Sequence, residues 1–309
     1  MGLLVEGTWK DRWYDTSSTG GRFVRQDAKF RRWIEDRSDA ELPPEAGRYH
    51  LYVAYACPWA HRTLIVRALK GLEDKIGVSV VHAEMLENGW EFRDGFPDHL
   101  YGKRFLHEIY TKAKSDFTGR VTVPVLWDKK TETVVNNESS EIIRMFNEAF
   151  GGDGPDLWPE ELREEIEAIN GPVYDHVNNG VYKSGFATTQ EAYEEAVTAL
   201  FDHLDWLEGH LEGKTWLVGD RITEADIRLF TTLVRFDPVY HFHFKCTRRR
   251  LRDYPNLWAH TRRIYAMPEV RSTVKMDAIR HHYFYSHESI NPHRIVPLMP
   301  DMELETAPR

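Results

Sequence analysis

The chain has 309 residues, enough for two domains with cores of their own, and its composition is that of a globular protein unusually rich in aromatic residues. A formal net charge of −9 argues against a nucleic-acid partner, and the basic run at residues 245–252 reads as a solvated face. No apolar run is long enough to span a bilayer, the N-terminus lacks the features of a signal peptide, and the two cysteines lie far apart, so a cytoplasmic protein with reduced thiols and no membrane partner is expected.

Residues 1–47 predict an irregular arm. It carries Trp9, Trp13, Phe23, Phe30 and Trp33, more aromatic surface than a free tail would hold, so it is expected to pack on the body. Residues 49–54 predict a strand, residues 57–72 a helix and residues 78–82 a second strand, and this alternation implies a parallel βαβ unit. Residues 86–119 predict a long ordered loop of the kind that carries function. Residues 121–128 and 133–135 predict a hairpin. Pro124 should not sit in a central strand, and a cis peptide at Val123-Pro124 leading into an edge strand reconciles the two. Asn136 to Ser140 start a helix with Ile142, Ile143, Phe146 and Phe150 on its apolar face. Residues 151–155 (GGDGP) form a linker, after which the pattern becomes helical. Leu200, Leu204, Leu207 and Leu211 share one face, and Thr223 with Asp226 forms a capping box. The expected division is an arm at 1–47, an α/β domain at 48–150, an all-helical domain at 159–282 and a C-terminal extension at 283–309.

Residues 57–66 (CPWAHRTLIV) carry the clearest chemistry. Cys57 falls at a strand-to-helix junction, where unpaired N–H groups and the helix dipole favour the thiolate, the nucleophilic form. Pro58 suits the first helical position. Ala60 stands where a second cysteine would complete C-x-x-C, so a resolving thiol must come from outside the protein. The alternative is an inert, buried cysteine. Arg62 reads as structural. His241, His243, His281, His282 and His287 match no zinc spacing, and no metal site is expected. Taken alone, Glu138 is an acid that stabilises a helix start, and Trp90 is a core residue.

The order of these elements resembles that of the glutathione transferases. The segments AYACPWAHRTLIVRALKGLE, MLENGWEF, GRVTVPVLWDKKTETVVNNESSEIIRMFN, VNNGVYKSGFA and RFDPVYHFHFKC resemble the xi class, the glutathionyl-hydroquinone reductases, across about residues 48–290. The resemblance implies an N-terminal thioredoxin-like domain, with a mixed four-stranded sheet and helices, and an all-helical C-terminal domain. It implies glutathione as co-substrate, no permanently bound cofactor, a glutathionyl-hydroquinone as the second substrate, and a homodimer. Cys57 is then the nucleophile, Tyr182 the proton donor, and Tyr240 and Tyr283 stabilise the thiolate, with Tyr285 an alternative to Tyr283. Trp90, Arg120, Val121, Thr122, Val123, Glu138 and Ser139 line the glutathione site. In that site Glu138 would pair the ammonium of the γ-glutamyl end. Ser139 would hold its carboxylate, and Val123 would pair the cysteinyl backbone. An omega-like thiol transferase or dehydroascorbate reductase would use the same cysteine. A non-catalytic interaction protein on this fold is the third possibility.

Overall fold

The computed structural model describes residues 2–299 and 302–305; the rest of the expected C-terminal extension lies outside the described residues. The chain forms two compact units, one made of residues up to 13, 26–155 and 273–288, the other of residues 14–25, 156–272 and those from 289 onward.

The first unit begins with a hairpin, β1 (Leu3–Val5) and β2 (Thr8–Lys10). Its two-residue turn, Glu6-Gly7, has positive φ at both positions (47° and 73°), the geometry that matches the twist of a hairpin. The arm is therefore not irregular throughout. Three-residue strands are too short to show a period in sequence, and only the turn pair marks them.

Five consecutive buried residues make β3 (Tyr49–Val53), a strand covered on both faces. It leads into α1 (Pro58–Leu69) and then β4 (Gly77–Val80), which pairs parallel to β3 as the βαβ pattern predicts. The stretch expected to be a loop holds more structure than its composition suggested. A short ladder joins β5 (Met85–Leu86) to β6 (Gly89–Trp90), and α2 (Leu106–Ala113) follows. The Glu108 carboxylate starts α2 by accepting from the backbone N–H groups of Arg104 (3.1 Å) and Phe105 (2.9 Å). Next, β7 (Gly119–Arg120) adds to β1, completing a three-stranded sheet of order β2-β1-β7.

The peptide Val123-Pro124 is cis, and β8 (Val125–Asp128) and β9 (Thr133–Asn136) follow it. The main sheet has the order β4-β3-β8-β9, so β8 is an interior strand and not the edge strand expected. The proline lies just before the strand, where it owes no hydrogen bond to either neighbour, so nothing forces β8 to an edge. The helix α3 (Ser139–Glu148) then buries Ile142, Ile143 and Phe146 and packs on α1.

The second unit is helical: α4 (Arg163–Pro172), a π-turn over Val173–Asn178, α5 (Gly180–Gly185) and the long α6 (Gln190–His210). On α6 and at its end Leu200, Leu204, Leu207 and Leu211 are all buried, as their spacing predicts. The cap of α7 (Glu224–Leu233) is reciprocal: the Asp226 carboxylate accepts from the Thr223 N–H (2.8 Å) and also from that of Leu217 (2.9 Å). A second π-turn at Phe236–Tyr240 leads to α8 (His241–His243), α9 (Pro255–Tyr265) and α10 (Pro268–Thr273). Within the basic run, Arg248 and Arg249 face Asp202 and Asp205 on α6, a solvated and paired arrangement. The chain then returns to the first unit as α11 (Met276–Ser286), a helix that runs through residue 283. No helix among the described residues is long and apolar enough to cross a membrane.

One buried ion pair locks the far end of the main sheet. Arg48, just before β3, clamps Asp128 at the end of β8 through Nε–Oδ1 (2.8 Å) and Nη2–Oδ2 (2.6 Å). Burial alone would push the Asp128 carboxyl up, but the donors of Arg48, Thr131 and Lys130 outweigh it and hold it down at about 2. Its stabilising contribution is therefore complete above the ordinary value of 3.8 and is lost as pH falls through about 2. Urea unfolding followed between pH 4 and pH 2 should show about 2 kcal/mol lost through this group. Asp128→Asn should lose that component of the slope and cost about 3 kcal/mol at neutral pH by removing the buried charge that both arms of the Arg48 fork address. An Asn variant with the wild-type pH dependence would refute the assignment.

Candidate active site

Cys57 is the N-cap of α1, with extended backbone (φ −74°, ψ 121°) and Pro58 as the first helical residue. The thiol is half-buried and in no disulfide, and its Sγ lies 3.5 Å from the carbonyl oxygen of Val123. This proximity follows from sheet register. Tyr52 near the end of β3 faces Val125 at the start of β8, so the short segment from β3 to Cys57 and the residue before Pro124 meet at one end of the sheet. Val123 lies outside both flanking strands, which leaves its backbone uncommitted to a ladder. The Thr122 carbonyl beside it is held by the Tyr110 hydroxyl (2.8 Å), and Val121 and Val123 are buried.

Glu138 is the N-cap of α3. Its Oε1 accepts from the Ser140 N–H (3.0 Å) and the Ser140 hydroxyl (2.9 Å), so it does cap its own helix, the plain role open to it in sequence. Ser139, next to it, is 3% exposed, and its hydroxyl meets the guanidinium of Arg62 (Nη1–Oγ, 3.4 Å). Arg62 comes from α1, is 1% exposed, and lies over the Trp59 ring at 4.5 Å. Its neighbour His61 is also buried and pairs with the Thr273 hydroxyl (2.8 Å), at the point where the chain returns to this unit.

Trp90 ends β6, is buried, and stacks on His282 of α11 (centroids 4.9 Å, 20°). The His282 ring is oriented by Nδ1–H donation to the Ala83 carbonyl (2.7 Å). Tyr283 is buried with its ring against His282 (5.2 Å) and His287 (5.4 Å), whereas Tyr285 stacks on His281 (4.8 Å), which pairs with Glu84 (3.0 Å). Arg120 reaches the arm: its guanidinium donates to the carbonyls of Arg12 and Trp13.

Tyr182 and Tyr240 belong to the second unit, where their rings adjoin (6.1 Å). Tyr240 is fully buried and stacks on Phe244 (5.4 Å, 11°). Arg25 lies over the Tyr182 ring at 4.9 Å and donates to Asn179 (2.9 Å), so the arm segment steadies the helix that bears Tyr182. Gly185 permits this packing, since a Cβ there would strike the Phe244 ring at 2.2 Å.

Cys57, Trp90, Arg120 to Val123, Glu138, Ser139 and Tyr283 thus share the first unit, and Tyr182 and Tyr240 share the second. Arg62 reads as structural in sequence, and nothing local sets it apart there, because α1 also carries His61, Thr63 and Arg67. His282 gave no signal, because its contact with Trp90 joins residues far apart in the chain. No group of three or more metal-ligating side chains able to hold a metal ion occurs among the described residues.

Comparison with known proteins gives the family. Residues 56–149 match the family model for the glutathione S-transferase N-terminal domain and residues 190–263 the model for its C-terminal domain. The glutathionyl-hydroquinone reductase PcpF of Sphingobium chlorophenolicum is 56% identical, over 98% of this chain and 98% of its own. The glutathionyl-hydroquinone reductase YqjG of Escherichia coli is 54% identical over 99% of this chain and 97% of its own. Its glutathione-bound structure superposes with a TM-score of 0.90 at 49% identity, covering 99% of this chain and 98% of that one. The xi glutathione S-transferase of Phanerochaete chrysosporium superposes with a TM-score of 0.89 at 56% identity, covering 92% and 100%.

The two thiols should differ sharply in reactivity. Cys246 is fully buried and burial pushes its thiol well up, whereas Cys57 is half-buried at a helix N-terminus. Iodoacetamide at neutral pH should alkylate native Cys57 at least about a hundredfold faster than Cys246, with both reacting once the protein is denatured. Peptide mapping by mass spectrometry reads the result, and comparable native rates would contradict the placement of the two sulfurs.

Proposed function

From the premise that the chain belongs to the xi class of glutathione transferases, the glutathionyl-hydroquinone reductase family, we propose that Cys57 is the nucleophile of its reaction and that glutathione lies along Val123, Glu138 and Ser139. The enzyme reduces glutathionyl-hydroquinones to hydroquinones at the expense of glutathione. The observation that carries the site assignment is the Cys57 Sγ at the N-cap of α1, 3.5 Å from the Val123 carbonyl.

A tripeptide paired strand-fashion on the Val123 backbone brings its own cysteinyl sulfur to the Cys57 sulfur. Its γ-glutamyl ammonium meets the Glu138 carboxylate, and its carboxylate meets Ser139 at the start of α3, where helix N–H groups favour an anion. The Cys57 thiolate attacks the glutathione sulfur of the conjugate. The carbon–sulfur bond breaks, its electron pair stays with the ring carbon, and that carbon takes a proton, with Tyr182 as donor. Cys57 is left in a mixed disulfide with glutathione. A second glutathione thiolate attacks the glutathione sulfur of that disulfide, releasing oxidised glutathione and regenerating Cys57. Ala60 in place of a second cysteine fits resolution by an external thiol.

Tyr283 and Tyr240 are assigned to thiolate stabilisation, Tyr182 to proton donation and Trp90 and Arg120 to the walls of the glutathione site, all supported by resemblance to the xi class. Two cysteines, neither of them in a disulfide, support a reducing, cytoplasmic setting. Family likeness is the support for a homodimer, which light scattering on the purified protein tests.

Cys57→Ser should abolish turnover of a glutathionyl-hydroquinone, a fall of at least about 10³-fold, while glutathione still binds. Wild-type protein mixed with the conjugate alone should gain the mass of one glutathione on Cys57. Full activity in the serine variant would remove Cys57 from the mechanism. Tyr182→Phe should lower kcat by about 10²-fold with little change in KM for glutathione, the pattern of a lost acid. An unchanged kcat would transfer that role to another group.

A further inference from the structure

We propose that Arg62 is the positioning residue for the γ-glutamyl carboxylate of glutathione, acting by fixing the hydroxyl of Ser139 as a donor toward it. The inference rests on the glutathione placement given above and deepens it. A guanidinium has five donors and no acceptor, so in the contact between Arg62 Nη1 and Ser139 Oγ (3.4 Å) the hydroxyl oxygen must accept. The Ser139 proton is then directed away from Arg62. As the structure stands, the Ser139 hydroxyl donates to Glu138 Oε1, at a long 3.5 Å and to an oxygen that already accepts from both the N–H and the hydroxyl of Ser140. That weak, shared bond is readily exchanged for one to an acceptor arriving at the start of α3.

Electrostatics point the same way. Arg62 and Ser139 are 1% and 3% exposed, so little water screens them and a charge here acts strongly. The Trp59 ring under the guanidinium, at 4.5 Å, keeps its plane fixed and so limits which group it can address. With Glu138 on the adjacent residue, the start of α3 presents one negative and one positive feature side by side. That pattern recognises an ammonium and a carboxylate borne on the same carbon, which the γ-glutamyl end has and an ordinary peptide N-terminus lacks.

The test compares, in each protein, the dissociation constants of glutathione and of 4-aminobutyryl-cysteinyl-glycine, which lacks only that carboxylate, by titration calorimetry on the full chain. Wild type should prefer glutathione by about a hundredfold, the scale of hydrogen bonds to a charged group. Arg62→Gln should reduce that preference about tenfold, and Arg62→Lys, which keeps the charge but not the planar fork, about threefold. The preference is a ratio within one protein, so partial loss of folded material affects both ligands alike, and Arg62→Lys serves if Arg62→Gln does not fold. A variant that weakens both ligands equally would make Arg62 merely structural and overturn the inference. A wild type that binds both ligands equally would overturn the placement of the γ-glutamyl end itself.

Discussion

The antiparallel register of β3 against β8 is the constraint on which the site depends. Tyr52 faces Val125 and Tyr49 faces Asp128, so the two strands have their functional ends at the same edge and their anchored ends at the other. At the functional edge, the chain leaving β3 reaches Cys57 and the chain entering β8 has just passed Val123 and the cis Pro124. A one-residue slip would turn every side chain of a strand to its other face and separate the sulfur from the Val123 carbonyl. At the anchored edge, the Arg48–Asp128 clamp opposes such a slip. A sulfur and a backbone acceptor from segments far apart in sequence are thus held together because each lies just beyond an interior strand of one sheet.

The residues proposed to wall that site are held by segments from the two ends of the chain. The Arg120 guanidinium donates to carbonyls of the N-terminal arm, and the strand that bears it pairs with the arm's first strand. Trp90 stacks on His282, whose ring is fixed by the Ala83 carbonyl just upstream of the β5–β6 ladder. His61, the fourth residue after the cysteine, pairs with Thr273 where the last helical segment re-enters. Short ladders such as β5–β6 are marginal alone, and these long-range contacts give them a fixed place.

Local chemistry was legible in the sequence, and long-range contact was not. Cys57 before Pro58 marked a strand-to-helix turn, the Val123-Pro124 pair marked a special peptide, and the leucines of α6 and the box at Thr223 and Asp226 marked their helices, because each signal lies within one or two turns of chain. The three-residue strands of the arm and the eight-residue α2 were missed, since neither is long enough to show a period. The position of β8 in its sheet was misjudged because a proline in the sequence does not say which side of the strand boundary it falls on. The contact of Arg62 with Ser139 was invisible, since it depends on how α1 packs against α3. Periodicity offered no basis for choosing among 14 tyrosines and 10 tryptophans, and the roles proposed for Tyr182 and Trp90 come from family likeness alone.

Two buried arginines of the first unit show how one residue type divides between fold and chemistry. Arg48 meets a carboxylate with both arms of its fork, and that pairing holds Asp128 ionised and ties β3 to β8. Arg62 meets a hydroxyl and an indole face. A hydroxyl both accepts and donates, so it passes the direction of one hydrogen bond on to the next group, which a carboxylate cannot do. Replacing the acceptor of Arg48 by an apolar pair could leave the sheet intact, because burial of well-packed side chains can substitute for a buried ion pair. In the role proposed for Arg62 no apolar substitution could stand in, because what would pass from the guanidinium through Ser139 is the orientation of a proton.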